Sequence, residues 1–109
     1  MAFSYKVLGQ SNPAATTATT LYTVPAATST VGSSLTICNQ AATSATFRIA
    51  VRPAGATLAA LHYLAYDTAI GANDLLTLSI GMSLATTDVV TVYASTNTLS
   101  FTLFGSEIT

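Results

Sequence analysis

Apolar and polar side chains alternate most clearly over residues 46–53, TFRIAVRP. The apolar side chains recur at every second position, and Arg48 and Arg52 share the opposite face of the predicted strand. A period of two is typical of a β-strand that is buried on one face. Pro53 lacks a backbone N–H and therefore ends the strand.

Similar alternating segments recur along the chain, separated by turns that contain proline, glycine, asparagine or aspartate. None has the spacing of an amphipathic helix, and residues 53–60 are compatible with a loop or a single helical turn. Short strands at this spacing predict an all-β fold, an antiparallel β-sandwich or jelly roll of seven to eight strands. The predicted strands are 3–8, 21–24, 31–39, 46–52, 61–66, 76–80, 88–94 and 99–104.

The length of 109 residues allows only one core, so the chain is predicted to form a single domain. Within it we distinguish two parts. Residues 1–20 are predicted to hold a first strand or an extended arm, followed by a connector that contains the turn-forming pair Asn12-Pro13. Residues 21–109 are predicted to form the sandwich. If the N-terminal segment is an arm, we expect it to reach a neighbouring subunit.

Charged residues make up only 6% of the chain, against about 25% in typical soluble domains. Threonine, alanine and serine stand where lysine and glutamate would be expected on outer strand faces. A net charge of -1 provides little repulsion between copies, which favours self-association. Three basic residues are too few for a phosphate-binding stripe, so nucleic acid is not an expected partner.

No membrane partner is expected either, because the most apolar stretch, 58–66, is short and contains His62. The N-terminus lacks the basic and apolar regions of a secretory signal. The lone Cys38 has no internal disulfide partner and is predicted to be a buried or half-buried thiol.

The titratable groups do not suggest an enzyme, a metal site or a cofactor. One cysteine and one histidine are too few zinc ligands, and the glycines are too scattered for a phosphate-binding loop. Asp67, Asp74 and Asp88 stand beside predicted turns, where a carboxylate accepts backbone N–H groups. We therefore expect a non-enzymatic protein that builds surfaces.

Arg48 and Arg52 are candidate interface residues, because they share one strand face on a nearly uncharged surface. One interpretation is a solvated face. The other is that they pair with Asp67 or Glu107 of a neighbouring subunit and set the register of an assembly.

Tyr63 and Tyr66 are the remaining interface candidates. Together with Tyr22 and Tyr93 they are interpreted as core and interface residues. The alternative is an aromatic platform for sugar rings, although tryptophan, which is frequent in such platforms, is absent from the chain.

The chain resembles a family of small virion structural proteins of tailed phages, cyanophages among them. The residues that carry the resemblance are 4–10 (SYKVLGQ), 21–26 (LYTVPA), 36–39 (TICN), 46–53 (TFRIAVRP), 62–67 (HYLAYD) and 104–107 (FGSE). The resemblance implies a particle component and supplies no catalytic residue. It leaves open capsid cement, a collar or neck fibre, and a tail or baseplate attachment.

From composition and resemblance together we expect a structural subunit located in the virion and assembled in the host cytoplasm. Its expected partners are copies of itself, as a trimer or larger ring, and other virion proteins such as the major capsid protein. Capsid decoration is the preferred position, with the collar, tail or baseplate as the alternative. An alternative of another class is a carbohydrate-binding module on a host-recognition fibre.

Overall fold

The computed structural model describes residues 2–79 and 81–109, and within them the chain forms nine β-strands. Two short 3-10 turns, Pro53–Gly55 and Ala60–His62, lie between the fourth and fifth strands. The strands are β1 Phe3–Ser11, β2 Thr19–Thr23, β3 Ser29–Asn39, β4 Ala45–Arg52, β5 Tyr63–Ile70, β6 Leu75–Leu78, β7 Met82–Leu84, β8 Val89–Ala94 and β9 Leu99–Ile108.

The strands form two antiparallel sheets. Sheet A has the order β1-β9-β3-β6, with β7 also paired to β3, and sheet B has the order β2-β8-β4-β5. Several of the antiparallel pairs are those of one long hairpin rolled into two layers. They are β1 with β9, β2 with β8, β3 with β6 and β7, and β4 with β5. This is the strand order of a jelly roll, so the predicted all-β sandwich is confirmed.

The structure differs from the prediction in the number of strands. The additional strand is β7, which has only three residues and is too short to show a period of two. The strand predicted over residues 76–80 corresponds to β6, which begins one residue earlier and ends at Leu78. The last predicted residue, Ile80, lies outside the described residues.

The core lies between the inner faces of the two sheets. Phe47 and Ile49 of β4 are fully buried, as the alternation predicts, and face buried side chains of β3 and β9. The rings of Phe47 and Phe101 meet edge to face with their centroids 6.3 Å apart. This aromatic pair joins sheet B to sheet A at the centre of the molecule.

The N-terminal segment forms the first strand, one of the two alternatives that the sequence left open. β1 pairs along its length with β9 of the same chain. The connector is anchored as well, because Asn12 Nδ2 donates hydrogen bonds to the carbonyls of Leu99 (2.7 Å) and Asn97 (3.0 Å). Pro13, which follows, is buried.

The segment between β4 and β5 covers part of the outer face of sheet B. Its two 3-10 turns pack on β8 and β4, and Ala50 and Thr91 beneath it are buried although they point away from the core. His62 Nδ1 accepts the backbone N–H of Ala59 at 3.0 Å. This histidine is therefore a structural residue that ends a turn.

Candidate functional site

A β-bulge in β5 organises the surface that carries most of the predicted interface residues. The register between β4 and β5 shifts around Arg48, so that Tyr66 and Asp67 together oppose this one residue. Asp67 has a positive φ of 50°, a conformation that aspartate tolerates better than most residues. The prediction that Asp67 opens a turn is wrong, because Asp67 lies inside β5.

Arg48 lies at the centre of a cluster that we call the Arg48 cluster, made of Arg48, Tyr63, Tyr66, Asp67 and Tyr93. Its Nε and terminal N–H groups donate to the two carboxylate oxygens of Asp67 at 2.7 and 3.3 Å. The guanidinium carbon lies 4.1 Å from the ring centre of Tyr66 and 4.2 Å from that of Tyr93. The cation is therefore held between two aromatic faces and one carboxylate.

The ion pair shifts the pKa of each partner in the direction that keeps the group charged. The hydrogen bond from Arg48 lowers the pKa of Asp67, and the same bond raises the pKa of Arg48 above its ordinary value. Both groups are therefore charged at neutral pH, and their charges compensate each other. The Arg48 cluster presents aromatic rings with little net charge.

A broad, open depression adjoins the Arg48 cluster. It has a volume of about 700 Å³. Tyr63 and Tyr66 form one of its sides, with ring centroids 4.9 Å apart in an edge-to-face arrangement. Its lining residues are Leu58, Ala59, Ala60, Tyr63 and Tyr66. The depression can accept an apolar or ring-shaped group and contains no pair of titratable groups suited to acid–base chemistry.

Four of the six predicted interface residues come together in this cluster, and the other two do not. Arg52 lies further along the same strand, and its Nε is buried without a hydrogen-bond partner. Glu107 lies on β9 in the other sheet. Tyr93 was not among the six, but it stands directly across from Arg48 in the β4–β8 register. The alternation predicted correctly that Tyr93 lies on a strand, but it did not indicate that Arg48 would be its partner.

Glu107 belongs to a second polar network, which links the two sheets. Lys6 Nζ lies 2.7 Å from one carboxylate oxygen of Glu107, and the Tyr22 hydroxyl donates to the other at 2.5 Å. The Tyr22 oxygen also lies 2.8 Å from Thr30 Oγ1, which must then be the donor of that bond. Burial and the bond to Glu107 raise the pKa of Tyr22 to about 12, so its hydroxyl keeps its proton.

The two predicted acidic partners of the arginines are thus engaged within their own chain. Arg48 binds Asp67, and Glu107 binds Lys6 and Tyr22. Arg48 was predicted to pair across a subunit boundary, but it binds Asp67 of its own chain. Two strand registers that the sequence does not reveal bring these groups together inside one chain. Arg52 has neither acidic residue as a partner within the described residues, so its pairing with a neighbouring subunit stays a prediction.

Replacing Arg48 by lysine should lower the melting temperature, because an ammonium group loses both the forked bond to Asp67 and the stacking between two rings. Asp67→Asn is the matched control, since it removes the ion pair and keeps the stacked guanidinium. We expect the larger loss for Arg48→Lys in thermal unfolding followed by circular dichroism. An equal or larger loss for Asp67→Asn would contradict the expectation that stacking between the two rings contributes more than the ion pair.

The network of Glu107 predicts a specific pH dependence of stability. The Lys6 ammonium, with help from Tyr22, holds the pKa of Glu107 below its ordinary value of 4.5. The unfolded chain then binds more protons than the folded chain below that pH, so the stabilisation is complete above pH 4.5 and is lost as the pH falls. In urea unfolding at pH 7 and pH 3, Glu107→Gln should lose less stability on acidification than the unchanged protein. The same loss in both proteins would contradict this assignment.

A third feature is an exposed apolar strip on the outer face of sheet A, which the sequence pattern does not reveal. Three of its members lie on β1: Phe3, Tyr5 and Val7 are 57%, 83% and 46% exposed. Val31 and Phe104 continue it across the sheet and line a depression of about 510 Å³. Exposed apolar patches of this kind mark interaction sites in soluble proteins. The strip is continuous because the register between β1 and β9 places Val7 beside Phe104.

The remaining polar groups have structural roles. Asp74 and Asp88 accept backbone N–H groups at turns, as predicted. Cys38 is partly exposed on the outer face of sheet A. Over residues 2–79 and 81–109 no three His, Cys, Asp or Glu side chains are grouped as metal ligands. No helix in the same ranges is long and apolar enough to cross a membrane.

Comparison with known proteins does not add a family. No protein-family model, no curated protein and no solved structure matches the chain. The class that the structure defines is a small jelly-roll domain whose surface is almost uncharged.

Proposed function

We propose that this chain is a non-enzymatic structural subunit of a tailed-phage virion that associates with copies of itself and decorates the capsid. The observation that carries the proposal is the apolar strip of sheet A, which includes three large side chains on one edge strand. Such a strip is costly to leave in water and favours a permanent partner.

The fold and the composition support the same proposal. Jelly rolls serve as viral capsid domains as well as lectin domains, so the fold admits the function without requiring it. Four of the seven charged side chains form ion pairs within the chain, which leaves weak repulsion between copies. The resemblance of the sequence to small virion proteins is in line with these features.

Copy number in purified particles tests the proposal. Quantitative mass spectrometry should give a ratio of this chain to the major capsid protein near one, or a simple fraction such as one third, if it decorates the capsid lattice. A ratio of a few per cent would place the chain in the collar, tail or baseplate instead. Absence of the chain from particles would overturn the structural function.

The depression beside Tyr63 and Tyr66 favours a second candidate, a carbohydrate-binding module. Sugar rings stack on exposed aromatic faces, and this depression offers two tyrosines beside small apolar side chains. A glycan array should then show saturable binding that Tyr63→Ala removes and Tyr5→Ala, on the other sheet, preserves. No binding on the array would leave the structural subunit as the only candidate.

A further inference from the structure

The N-terminal half of β1 is an unpaired edge of sheet A. At Gly9 the β1 backbone lies close to the carbonyl group of Leu21 in β2, but residues 3–7 have β9 on one side only. Within the described residues, the backbone groups of residues 3–7 that point away from β9 have no hydrogen bond to another strand or side chain. This short segment therefore exposes backbone donors and acceptors.

The hydrogen-bond pattern shows which backbone groups point outward. Ala2 and Thr109 exchange both of their backbone hydrogen bonds, at 2.9 and 3.0 Å. Antiparallel pairs alternate between bonded and non-bonded positions, so Ser4 and Lys6 also bond to β9, and the residues between them do not. The N–H and C=O groups of Phe3, Tyr5 and Val7 therefore point away from the sheet.

The same three residues carry the exposed apolar side chains of the strip. Natural edge strands are usually protected by charged side chains, proline or a covering loop. Here the one charged residue, Lys6, is held by Glu107. The edge thus combines unpaired backbone with unprotected apolar side chains, and both features belong to the same three residues.

We propose that two copies of this chain pair through their β1 edges, antiparallel and about a two-fold axis that passes beside Tyr5. In this register Tyr5 opposes Tyr5 of the second copy, and Phe3 opposes Val7. All the outward-pointing N–H and C=O groups of these residues then find partners, because the facing residues form bonded pairs on both strands. Sheet A continues from one copy into the next.

The side chains and charges of the edge select this register. A two-fold axis keeps the apolar side chains of both copies on one face, so the apolar strips of the two copies become continuous. Lys6 faces Ser4 of the second copy. A register centred one residue later would oppose Lys6 to itself and place two like charges side by side.

This contact rests on the proposed self-association and identifies the surface that it uses. A two-fold contact yields a dimer by itself, so the expected trimer or larger ring requires a second surface. On the opposite sheet, Tyr66 and Asp67 of the Arg48 cluster are exposed, and we expect this cluster to supply the second contact. The dimer through β1 would then join two such rings or extend a lattice.

The oligomeric state of the full chain tests the contact. Sedimentation velocity should show a dimer or a larger species built from it, and Tyr5→Asp should remove that association because the two carboxylates would face each other at the axis. Leu75→Asp is the matched control, since it places the same charge at an exposed apolar residue on the far edge of sheet A. A monomer at all concentrations, or an association that Tyr5→Asp leaves intact, would overturn the proposal.

Disulfide trapping tests the register itself. In a Cys38→Ser background, Tyr5→Cys should form a covalent dimer under mild oxidation, because facing residues of a bonded pair have Cα atoms about 5.5 Å apart. Phe3→Cys should not, since the two copies of residue 3 would lie about 13 Å apart. A dimer with Phe3→Cys and none with Tyr5→Cys would exclude this register.

The contact and the virion function fail in different ways. Particles that contain the chain while the isolated protein is a monomer would overturn the contact and leave the structural function. A dimer that loses its association in Tyr5→Asp, from a chain that is missing from particles, would establish the contact and overturn the function.

Discussion

Replacing Phe47 by alanine should lower the free energy of unfolding by about 3–5 kcal/mol. The Phe47 ring is fully buried and meets Phe101 across the two sheets, so its removal leaves a cavity that rigid strands cannot close. Domains of this size are stable by only about 5–15 kcal/mol. The variant should therefore lose a large share of its stability.

Urea unfolding followed by circular dichroism measures this loss. Phe104→Ala is the matched control, because it removes the same ring from the exposed strip of the same domain. We expect a change within about 0.5 kcal/mol for the control, as is usual for surface residues. Similar losses in the two variants would mean that the Phe47–Phe101 contact does not join the sheets as described.

Replacing Gly105 by alanine should cost about 3 kcal/mol or more through overpacking. A Cβ atom at this position would overlap the carbonyl oxygen of Val31 and lie 3.0 Å from Gly32 Cα. Both obstacles belong to the backbone of β3 and cannot rotate away as a side chain would. The substitution must separate β9 from β3, which are adjacent over almost their whole lengths.

Gly81→Ala is the matched control for this prediction, because a Cβ atom there meets nothing within 4 Å. Thermal unfolding should show a large fall in melting temperature for Gly105→Ala and little change for Gly81→Ala. Equal melting temperatures of the two variants would contradict the close approach of β3 and β9. Gly9→Ala should resemble Gly105→Ala, since its Cβ would overlap the carbonyl oxygen of Leu21.

Much of the fold could be predicted from local pattern alone. The alternation around Phe47 and Ile49 predicted a strand with a buried face, and the structure buries both side chains completely. The turns were recognisable from proline, glycine and aspartate. β7 escaped detection because three residues cannot show a period, and Asp67 was misplaced because a bulge uses the same residue types as a turn.

The candidate site was predictable only in part. Arg48, Tyr63, Tyr66 and Asp67 were singled out as interface residues, and the structure brings them into one cluster. Pairing of Arg48 with Asp67 within one chain was not predictable, because the two residues are 19 positions apart and meet only through the strand register. The pair of Lys6 with Glu107 was not predictable either, because the two residues come from opposite ends of the chain. The apolar strip was missed for the same reason.

A period of two, frequent turn residues and very few charges are properties of neighbouring positions, and they were sufficient to define strands, a buried face and a neutral surface. Which strands lie side by side, and in what register, depends on contacts between distant parts of the chain. Those contacts decide that Lys6 and Arg48 are neutralised within the chain, and that residues 3–7 form an unprotected edge. Long-range pairing therefore determines which surfaces are available to a partner, because it alone decides which polar groups are already satisfied.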